Sequence, residues 1–293
     1  MNTIINFTPT GMIPTKKMTP HVPVSAQEII DNVLEAYSIG ITMVHLHARD
    51  ELTGEPTYKA EVYARIISGI RKYAPDLVIC ASLSGRTFNR FEERSECLRL
   101  DGDSKPDMGS LTLSSLNFNQ QASINSPEMI QLLAEEMQCR NILPELEVFD
   151  VGMINYAKYL EKKGLIHPPH YFNLILGNIA CAQADILHLG LMLRDLPPDS
   201  IWSLGGVGDV QLMMNSLAIT IGGGVRVGLE DNIWYDTQRE QLATNIDLLC
   251  RVHRLAKDNR REIMASSELR LLLKMPQRRS EKNRDLTAAL STA

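Results

Sequence analysis

Four absences limit the classes of protein to which this chain of 293 residues can belong. Its five cysteines are an odd number with no CxxC pair, which argues against a disulfide framework and is typical of a reducing compartment. No apolar stretch approaches the roughly 20 residues that span a bilayer, and the first residues lack the basic and apolar segments of a signal peptide. The net charge of −5 gives no overall attraction for nucleic acid or anionic membranes. We therefore expect a soluble, cytoplasmic protein that binds neither nucleic acid nor membrane.

What the sequence does contain is a repeated alternation of short apolar runs and longer amphipathic segments. The apolar runs predict eight strands, at residues 4–8, 41–47, 77–82, 108–113, 143–148, 171–176, 201–205 and 224–227. Eight strand–helix units predict an α/β fold of the closed (β/α)8, or TIM-barrel, type with a C-terminal extension, since that fold takes roughly 250 residues. A doubly wound open sheet is the alternative, but its dinucleotide-binding version is disfavoured because the loop after the first strand contains one glycine, Gly11, and no GxGxxG.

Local sequence patterns indicate where the first and last helices lie and where the domain ends. Ser25 and Glu28 form a capping-box pattern at the start of the first helix, and residues 237–258 predict one long final helix. Since the composition does not change along the chain, residues 1–275 are predicted to form a single barrel domain. Residues 276–293 are polar and are predicted to be a flexible tail, with a subunit-bridging arm as the alternative.

The second predicted strand carries two histidines with the spacing HxH. Strand side chains alternate faces, so His45 and His47 point one way while Val44 and Leu46 point the other. In a barrel the branched apolar residues face the helices, which leaves both histidines facing the axis near the C-terminal mouth, where barrel active sites form. Two imidazoles one pleat apart make half of a site for Zn²⁺ or a similar divalent ion, with two core-packed histidines as the alternative.

The last predicted strand ends in a second polar group. Arg226 lies on the face opposite its valine neighbours and, if it points inward, is an uncompensated buried charge unless a carboxylate pairs with it. Asp231 is the natural partner, and Glu230 can complete a His2Glu metal site. The run from Glu230 to Asn232 also fits a helix cap, but one such residue suffices for capping.

Three further strands offer polar residues at the same mouth. Ser82 follows the third strand and can donate to a bound carboxylate, while Gly85 permits close approach of backbone; an ordinary turn is the alternative. Ser110 on the fourth strand is predicted to point into the barrel. Glu145 and Glu147 on the fifth strand share one face and need a cationic or metal partner there.

A glycine-rich run follows the seventh predicted strand and opens a helix. Barrels commonly bind phosphate at this place with backbone N–H groups, so Gly206 and Gly208 are predicted to bind a phosphorylated ligand or cofactor.

These motifs together resemble the β-keto acid cleavage enzyme family. The resemblance covers nearly the whole chain except its end, and its most specific pieces are HLHAR, PDMGSLTLSSLNF, PELEVFDVGM and VRVGLEDN, at residues 45–49, 106–118, 144–153 and 225–232. It implies a zinc-dependent (β/α)8 barrel that forms a homo-oligomer, often a tetramer. It also implies a reaction of a β-keto acid with acetyl-CoA that gives acetoacetate and a new CoA thioester.

The same resemblance implies roles for individual residues. Carried over by matching positions, these are three metal ligands, three contacts to the substrate's carboxylate and keto group, and a dyad that moves the proton: His45, His47 and Glu230; Ser82, Gly85 and Ser110; Arg226 and Asp231.

Two positions depart from the family pattern. A family member that acts on an amino-substituted keto acid carries a carboxylate in its first loop, where this chain has Ile13. An apolar side chain cannot offset an ammonium group, so the far end of the substrate is expected to be neutral or apolar. Asp209 follows the glycine-rich loop where relatives often carry a basic residue, and a carboxylate there repels the phosphates of CoA.

Two other functions fit parts of the pattern. An amidohydrolase-like zinc hydrolase also uses HxH on a barrel strand, but it is expected to add histidines on later strands, where this chain has Glu145, Glu147 and Asn173. A non-catalytic ligand sensor on a degenerate barrel is expected to have lost polar groups that are all present here.

Overall fold

The computed structural model of the protein describes residues 2–278. Its main feature is a closed barrel of eight parallel strands. The strands of this barrel are β1 (Ile5–Phe7), β2 (Met43–Leu46), β3 (Val78–Ala81), β4 (Met108–Thr112), β7 (Leu143–Val148), β8 (Tyr171–Leu176), β9 (Ile201–Gly206) and β10 (Gly224–Val227). The hairpin β5 (Leu116–Asn117) and β6 (Ala122–Ser123) stands apart from the barrel.

Helices follow each barrel strand and cover its outer surface. They are α1 (Ala26–Ile39), α2 (Ala60–Arg71), α3 (Phe91–Arg94), α4 (Pro127–Cys139), α5 (Val151–Lys162), α6 (Ile186–Asp195), α7 (Gln211–Ile221) and α8 (Asn245–Asp258), followed by a ninth helix, α9 (Ser266–Leu272). None of the helices in residues 2–278 has the length and apolar character needed to cross a lipid bilayer. The predicted (β/α)8 barrel is therefore confirmed, with all eight strands at the predicted places.

The strand register brings polar residues from distant parts of the chain to one level inside the barrel. Asn6 pairs with Arg226 across β1 and β10, and Glu147 pairs with Asn173 across β7 and β8. Strand neighbours in register project side chains to the same face, because each strand alternates its faces with a period of two. The sheet thus carries its polar residues inward as a set, while Val44 and Leu46 join the apolar layer under the helices.

Helix α9 closes the amino-terminal end of the barrel. Leu269 of this helix packs against apolar residues at the amino-terminal ends of the strands. Met264, before the helix, and Met275, after it, belong to the same cluster. Beside this contact the buried carboxylate of Asp107 pairs with guanidinium groups of Arg71 and, at 2.7 Å, of Arg270. Burial alone would raise the pKa of Asp107, but these two charges lower it below its ordinary value.

Two local features differ from the sequence-based expectation. The final long helix begins at Asn245 rather than near residue 237, because Thr244 caps it by accepting from the backbone N–H of Asp247. The β5–β6 hairpin was not predicted, since each of its strands has two residues and carries no readable periodicity. The capping box of Ser25 is confirmed, and of the predicted tail at 276–293 all but three residues lie outside the described residues.

Candidate active site

A cavity of about 460 Å³ opens at the carboxyl ends of the barrel strands. That volume is within the range of small-molecule sites, and this end of the barrel is where such enzymes place their chemistry. Its polar lining includes His47, Ser82, Ser84, Arg86, Thr112, Glu147, Arg226, Glu230 and Asp231. Its apolar lining includes Met12, Ile13, Met18, Leu116, Phe118, Phe149, Ile175 and Val207.

Three side chains form a group suited to a divalent cation: His47 and Glu230 line the floor of the cavity, and His45 is buried next to His47. The Nε2 atom of His45 lies 3.3 Å from that of His47, which lies 3.1 Å from Oε1 of Glu230. Potential ligand atoms of all three residues lie within 4.8 Å of one another. The second oxygen of Glu230 is buried with no hydrogen-bond partner among residues 2–278. Two imidazoles and one carboxylate are a donor set typical of zinc, so the residues present fit such an ion.

Glu145 fixes the orientation of His45. Its Oε2 lies 2.5 Å from Nδ1 of His45 and accepts from the thiol of Cys80 at 3.1 Å, while its Oε1 accepts from the amides of Asn6 and Asn173 at 2.5 and 3.0 Å. Burial alone would raise the pKa of Glu145, but the charge of His45 lowers it to about 2, so the carboxylate accepts and Nδ1 donates. The Nε2 atom of His45 is thereby turned toward the cluster, as is usual for histidines that bind metals.

Arg226 links this cluster to a second carboxylate. Its guanidinium donates to Asp231 through Nε at 2.7 Å and to Glu230 through a terminal nitrogen at 2.7 Å. The other terminal nitrogen lies 3.8 Å from Glu147, which in turn accepts a hydrogen bond of 2.6 Å from the hydroxyl of Thr112. The buried arginine predicted from sequence therefore has three carboxylate partners, of which Asp231 and Glu230 are the two nearest.

Burial and the neighbouring carboxylates shift the pKa values of the histidines and of Asp231. Burial would lower the pKa of His45, but Glu145 and Glu230 raise it to about 9. Burial lowers the pKa of His47 to about 4 although Glu230 raises it, and the nearby charge of His45 adds a smaller lowering effect. Burial also raises the pKa of Asp231 above its ordinary value despite Arg226. The neighbouring carboxylates therefore stabilise one positive charge at His45 but not a second one at His47.

The backbone at two glycines packs closely against Glu230 and Arg226 and limits their positions. Gly11 has a φ of +67°, and a Cβ atom there would lie 2.6 Å from Cγ of Glu230. At Gly205 a Cβ atom would lie 3.1 Å from Cβ of Arg226. The first loop and the end of β9 therefore bracket Glu230 and Arg226, and only a residue without a side chain fits the left-handed backbone at Gly11.

The predicted substrate contacts occupy different surroundings. Ser82 lines the cavity. Ser110 is buried beneath it, where its hydroxyl accepts from the backbone N–H of Leu83 at 3.0 Å. Gly85 lies against the carbonyl oxygen of Ile124, leaving no room for a side chain. Direct contact of Ser110 and Gly85 with a ligand stays a prediction.

The glycine-rich loop after β9 is partly occupied by contacts within the protein. The backbone N–H of Gly208 donates to the carbonyl oxygen of Asp231 at 2.8 Å, and Gly206 packs against Val210. Asp209 is paired with Arg239 at 3.0 Å, so the negative charge expected to repel phosphate is offset. Binding of a phosphorylated cofactor by Gly206 and Gly208 stays a prediction.

Sequence reasoning assigned no role to two residues that line the cavity and contact each other, Arg86 and Phe118. The guanidinium carbon of Arg86 lies 3.4 Å above the ring centroid of Phe118, next to the β5–β6 hairpin. Arg86 follows β3 in a loop at the barrel mouth, and that position is the sequence feature that could have identified it. Phe118 carried no comparable indication, since the hairpin that places it was not predicted.

Comparison with known proteins identifies the family of the chain. A family model described as beta-keto acid cleavage enzyme matches residues 2–275. A 3-oxoadipate:acetyl-CoA acetyltransferase of Cupriavidus necator is 33% identical over 93% of this chain and 95% of its own length. A 3-keto-5-aminohexanoate cleavage enzyme of Fusobacterium nucleatum is 36% identical over 89% of this chain and 93% of its own. The apo structure of ObcA shares the fold with a TM-score of 0.78 at 19% identity, covering 87% of this chain and 66% of that one.

The fold and the cavity define the class as a (β/α)8 barrel with its polar side chains collected at the carboxyl mouth. Within that class, the chain belongs to the β-keto acid cleavage enzyme family. The amidohydrolase alternative receives no support. In the described residues, β7 and β8 supply Glu145, Glu147 and Asn173 to the interior and no histidine.

Proposed function

We propose that this protein is a metal-dependent acyltransferase that acts on a β-keto acid and acetyl-CoA. The products are acetoacetate and a new acyl-CoA that carries the acyl part of the keto acid. The proposal rests on one observation above all: the cluster of His45, His47 and Glu230 lies beside the Arg226–Asp231 pair at one cavity. The names of the relatives from C. necator and F. nucleatum, an acetyl-CoA acetyltransferase and a keto acid cleavage enzyme, support the same type of reaction.

His45, His47 and Glu230 would hold Zn²⁺ or a similar divalent ion. Such an ion polarises a carbonyl oxygen as a Lewis acid and so lowers the cost of removing a proton from the adjacent carbon. Glu145 would support it by holding His45 in the tautomer whose Nε2 faces the cluster.

Asp231 is the proposed base. Its carboxylate lines the cavity, and burial raises its pKa, which makes it a better proton acceptor than an exposed aspartate. Arg226 holds both of its oxygens, at 2.7 and 3.1 Å, and keeps the carboxylate directed at one place. Asp231 takes the proton from the carbon between the keto group and the carboxylate of the substrate.

The remaining bond changes balance without an external reductant or oxidant. The carbanion attacks the thioester carbonyl carbon of acetyl-CoA, and the C–S bond breaks to release CoA thiolate. The thiolate attacks the original keto carbon, and the bond from that carbon to the deprotonated one breaks. The released acetoacetate carbanion recovers the proton from Asp231, so the base ends as it began.

Polar groups of the mouth are proposed to bind the two substrates. Ser82, Ser110 and Gly85 are assigned to the carboxylate and keto group, and cavity lining supports this for Ser82. Gly206 and Gly208 are assigned to the phosphates of CoA, supported by the pairing of Asp209 that offsets the nearby negative charge.

The far end of the keto acid is proposed to be neutral or apolar. Ile13, 45% exposed, lines the cavity together with Met12 and Met18. This apolar stretch of wall offers no counter-charge, so burying an ammonium group against it costs free energy.

The quaternary and cellular context is also proposed. A homo-oligomer, with a tetramer as the expected form, is supported by the exposed apolar side chains of Ile179, Ile186 and Leu187 on the loop before α6 and at its start. Light scattering on purified protein measures the assembly directly. The free cysteines support a reducing compartment such as the cytoplasm.

Labelled acetyl-CoA tests the reaction. Zinc-loaded protein is incubated with acetyl-CoA carrying ¹³C in its acetyl group and with a series of β-keto acids that differ in chain length and end charge. Mass spectrometry should find the label in acetoacetate and an unlabelled acyl-CoA whose acyl chain is two carbons shorter than the keto acid. The fastest substrates should have neutral or apolar ends.

Two controls decide the outcome. Asp231→Asn should keep its zinc and lose turnover by about 100-fold or more, since it lacks the base. Chelator-treated protein should recover turnover on addition of zinc. Absence of labelled acetoacetate with every keto acid would contradict the proposal, and release of free acid and CoA instead would indicate a hydrolase.

A further inference from the structure

Arg86 is a charged residue in the cavity that the mechanism above does not use. It lies in the loop between β3 and α3 and lines the same cavity as His47, Glu230 and Asp231. Its guanidinium stacks on the face of Phe118 at 3.4 Å. A stacked guanidinium keeps its N–H groups free at the edge of its plane, where they can donate in pairs to a planar anion.

Within the described part of the chain, the charge of Arg86 has no ion-pair partner. Among residues 2–278, no carboxylate oxygen lies within the 4 Å of an ion pair with it, whereas Arg226 has three carboxylates within that distance. Holding an arginine partly desolvated without a counter-charge costs free energy. That cost is recovered when an anion enters the cavity.

The remaining charges in the cavity restrict where an anion can bind. Glu147, Glu230 and Asp231 are carboxylates, which repel a second carboxylate, and Arg226 is already engaged by all three. The neighbouring faces of Phe118 and Phe149 are apolar and meet edge to face, with ring centroids 5.8 Å apart. Of the two arginines among residues 2–278 that line this cavity, Arg86 is therefore the one available to a substrate.

We propose that Arg86 binds the carboxylate of the β-keto acid through paired hydrogen bonds. The inference rests on the proposed function, because the carboxylate is the one charge that all β-keto acids share. A carboxylate held at Arg86 leaves the keto group to the His45–His47–Glu230 cluster and the rest of the acid to the wall formed by Met12 and Ile13. Arg86 thus selects keto acids over neutral diketones of the same shape.

Steady-state kinetics of Arg86→Met test this role. Methionine keeps an unbranched apolar side chain that can contact Phe118, but it has no charge and no donor. We expect KM for the best keto acid to rise roughly 10- to 100-fold, the range for losing a charge-assisted hydrogen-bond pair, with KM for acetyl-CoA unchanged. Arg86→Lys should recover part of the loss, since it keeps the charge without the paired donors.

A binding measurement separates this inference from the reaction itself. Acetoacetate and neutral acetylacetone have nearly the same shape, and their dissociation constants, measured by isothermal titration calorimetry, can be compared in each variant. Wild type should prefer acetoacetate, and Arg86→Met should lose that preference while its affinity for acetylacetone stays the same. Arg90→Met is the matched control, because Arg90 is an exposed arginine whose side chain is 74% accessible, and it should match wild type throughout.

The failure of each proposal has its own signature. Wild-type turnover with an unchanged keto acid KM in Arg86→Met would overturn the role of Arg86 and leave the function standing. A rise in KM for acetyl-CoA alone would overturn it in favour of phosphate binding. No turnover in wild type, together with an acetoacetate preference that depends on Arg86, would overturn the function and retain the anion site.

Discussion

Replacing Glu145 by glutamine tests whether this buried carboxylate controls the proposed metal site. Glu145 has no contact with the cavity and accepts four hydrogen bonds, two on each oxygen. Glutamine is nearly isosteric but offers one acceptor oxygen and one donor amide. With its amide toward His45 it donates to Nδ1, which moves the imidazole proton to Nε2 and blocks the atom that faces the cluster.

The expected magnitude follows from these contacts. The opposite amide orientation preserves His45 but turns a donor toward Asn6 and Asn173, and each buried donor left without an acceptor costs about 1–3 kcal/mol. The first orientation therefore loses the bond that orients His45, and the second destabilises the buried side chain that makes this bond. Loss of such outer contacts typically lowers metal affinity roughly 10- to 100-fold, or about 1.4–2.8 kcal/mol.

Competition for zinc with a chelating dye measures the effect. The matched control is Glu161→Gln, since Glu161 also contacts a histidine, His170 at 2.9 Å, but lies far from the cavity on α5. The control should bind zinc like wild type. If Glu145→Gln, shown by circular dichroism to be folded, also binds zinc like wild type, the orienting role assigned to Glu145 is refuted.

Three further changes have definite expected outcomes. Gly11→Ala forces a side chain into left-handed backbone and against Glu230, so it should cost about 1–2 kcal/mol of stability and reduce bound zinc, whereas full zinc content would contradict the bracketing of Glu230. Asp107→Asn should lower the unfolding free energy by about 3–5 kcal/mol in urea at pH 7, because two buried arginines lose their partner. The pKa of Asp107 is lower in the folded than in the unfolded protein, where it is about 3.9, so its ion pairs stabilise the fold fully only above that pH. The difference in unfolding free energy between wild type and variant should therefore shrink as the pH falls below that value. A difference that stays constant would exclude the ion pairs as its source. Ile13→Glu should shift the preference toward an ammonium-bearing keto acid over its neutral analogue by about 2- to 5-fold in kcat/KM, and no shift would place the far end of the substrate elsewhere.

The candidate metal cluster was predictable because its residues lie in short, regular segments. The period of two in β2 places His45 and His47 on one face, and the barrel topology brings the end of β10 beside it. The pairing of Arg226 with Asp231 follows from the cost of an isolated buried charge. These inferences required only strand periodicity, chain order and charge.

Other parts of the site depend on geometry that no local pattern encodes. Ser110 and Gly85 are predicted to contact the substrate. In the structure the hydroxyl of Ser110 accepts a hydrogen bond from the backbone N–H of Leu83, and Gly85 packs against the backbone of Ile124. Asp209 was expected to repel phosphate, yet Arg239, thirty residues later, pairs with it. Such partners are set by loops whose paths are not periodic.

The sequence alone determined the (β/α)8 barrel, the eight strand positions and the end of the barrel at which the candidate site residues collect, because alternating burial along a strand is a local property of the chain. Only the tertiary structure decided that Glu145 holds His45 on the side away from the cavity and that Arg86 lines the cavity with no ion-pair partner among residues 2–278. Both facts depend on distances between residues far apart in the chain, and those distances are fixed by how the strands close and how the mouth loops pack.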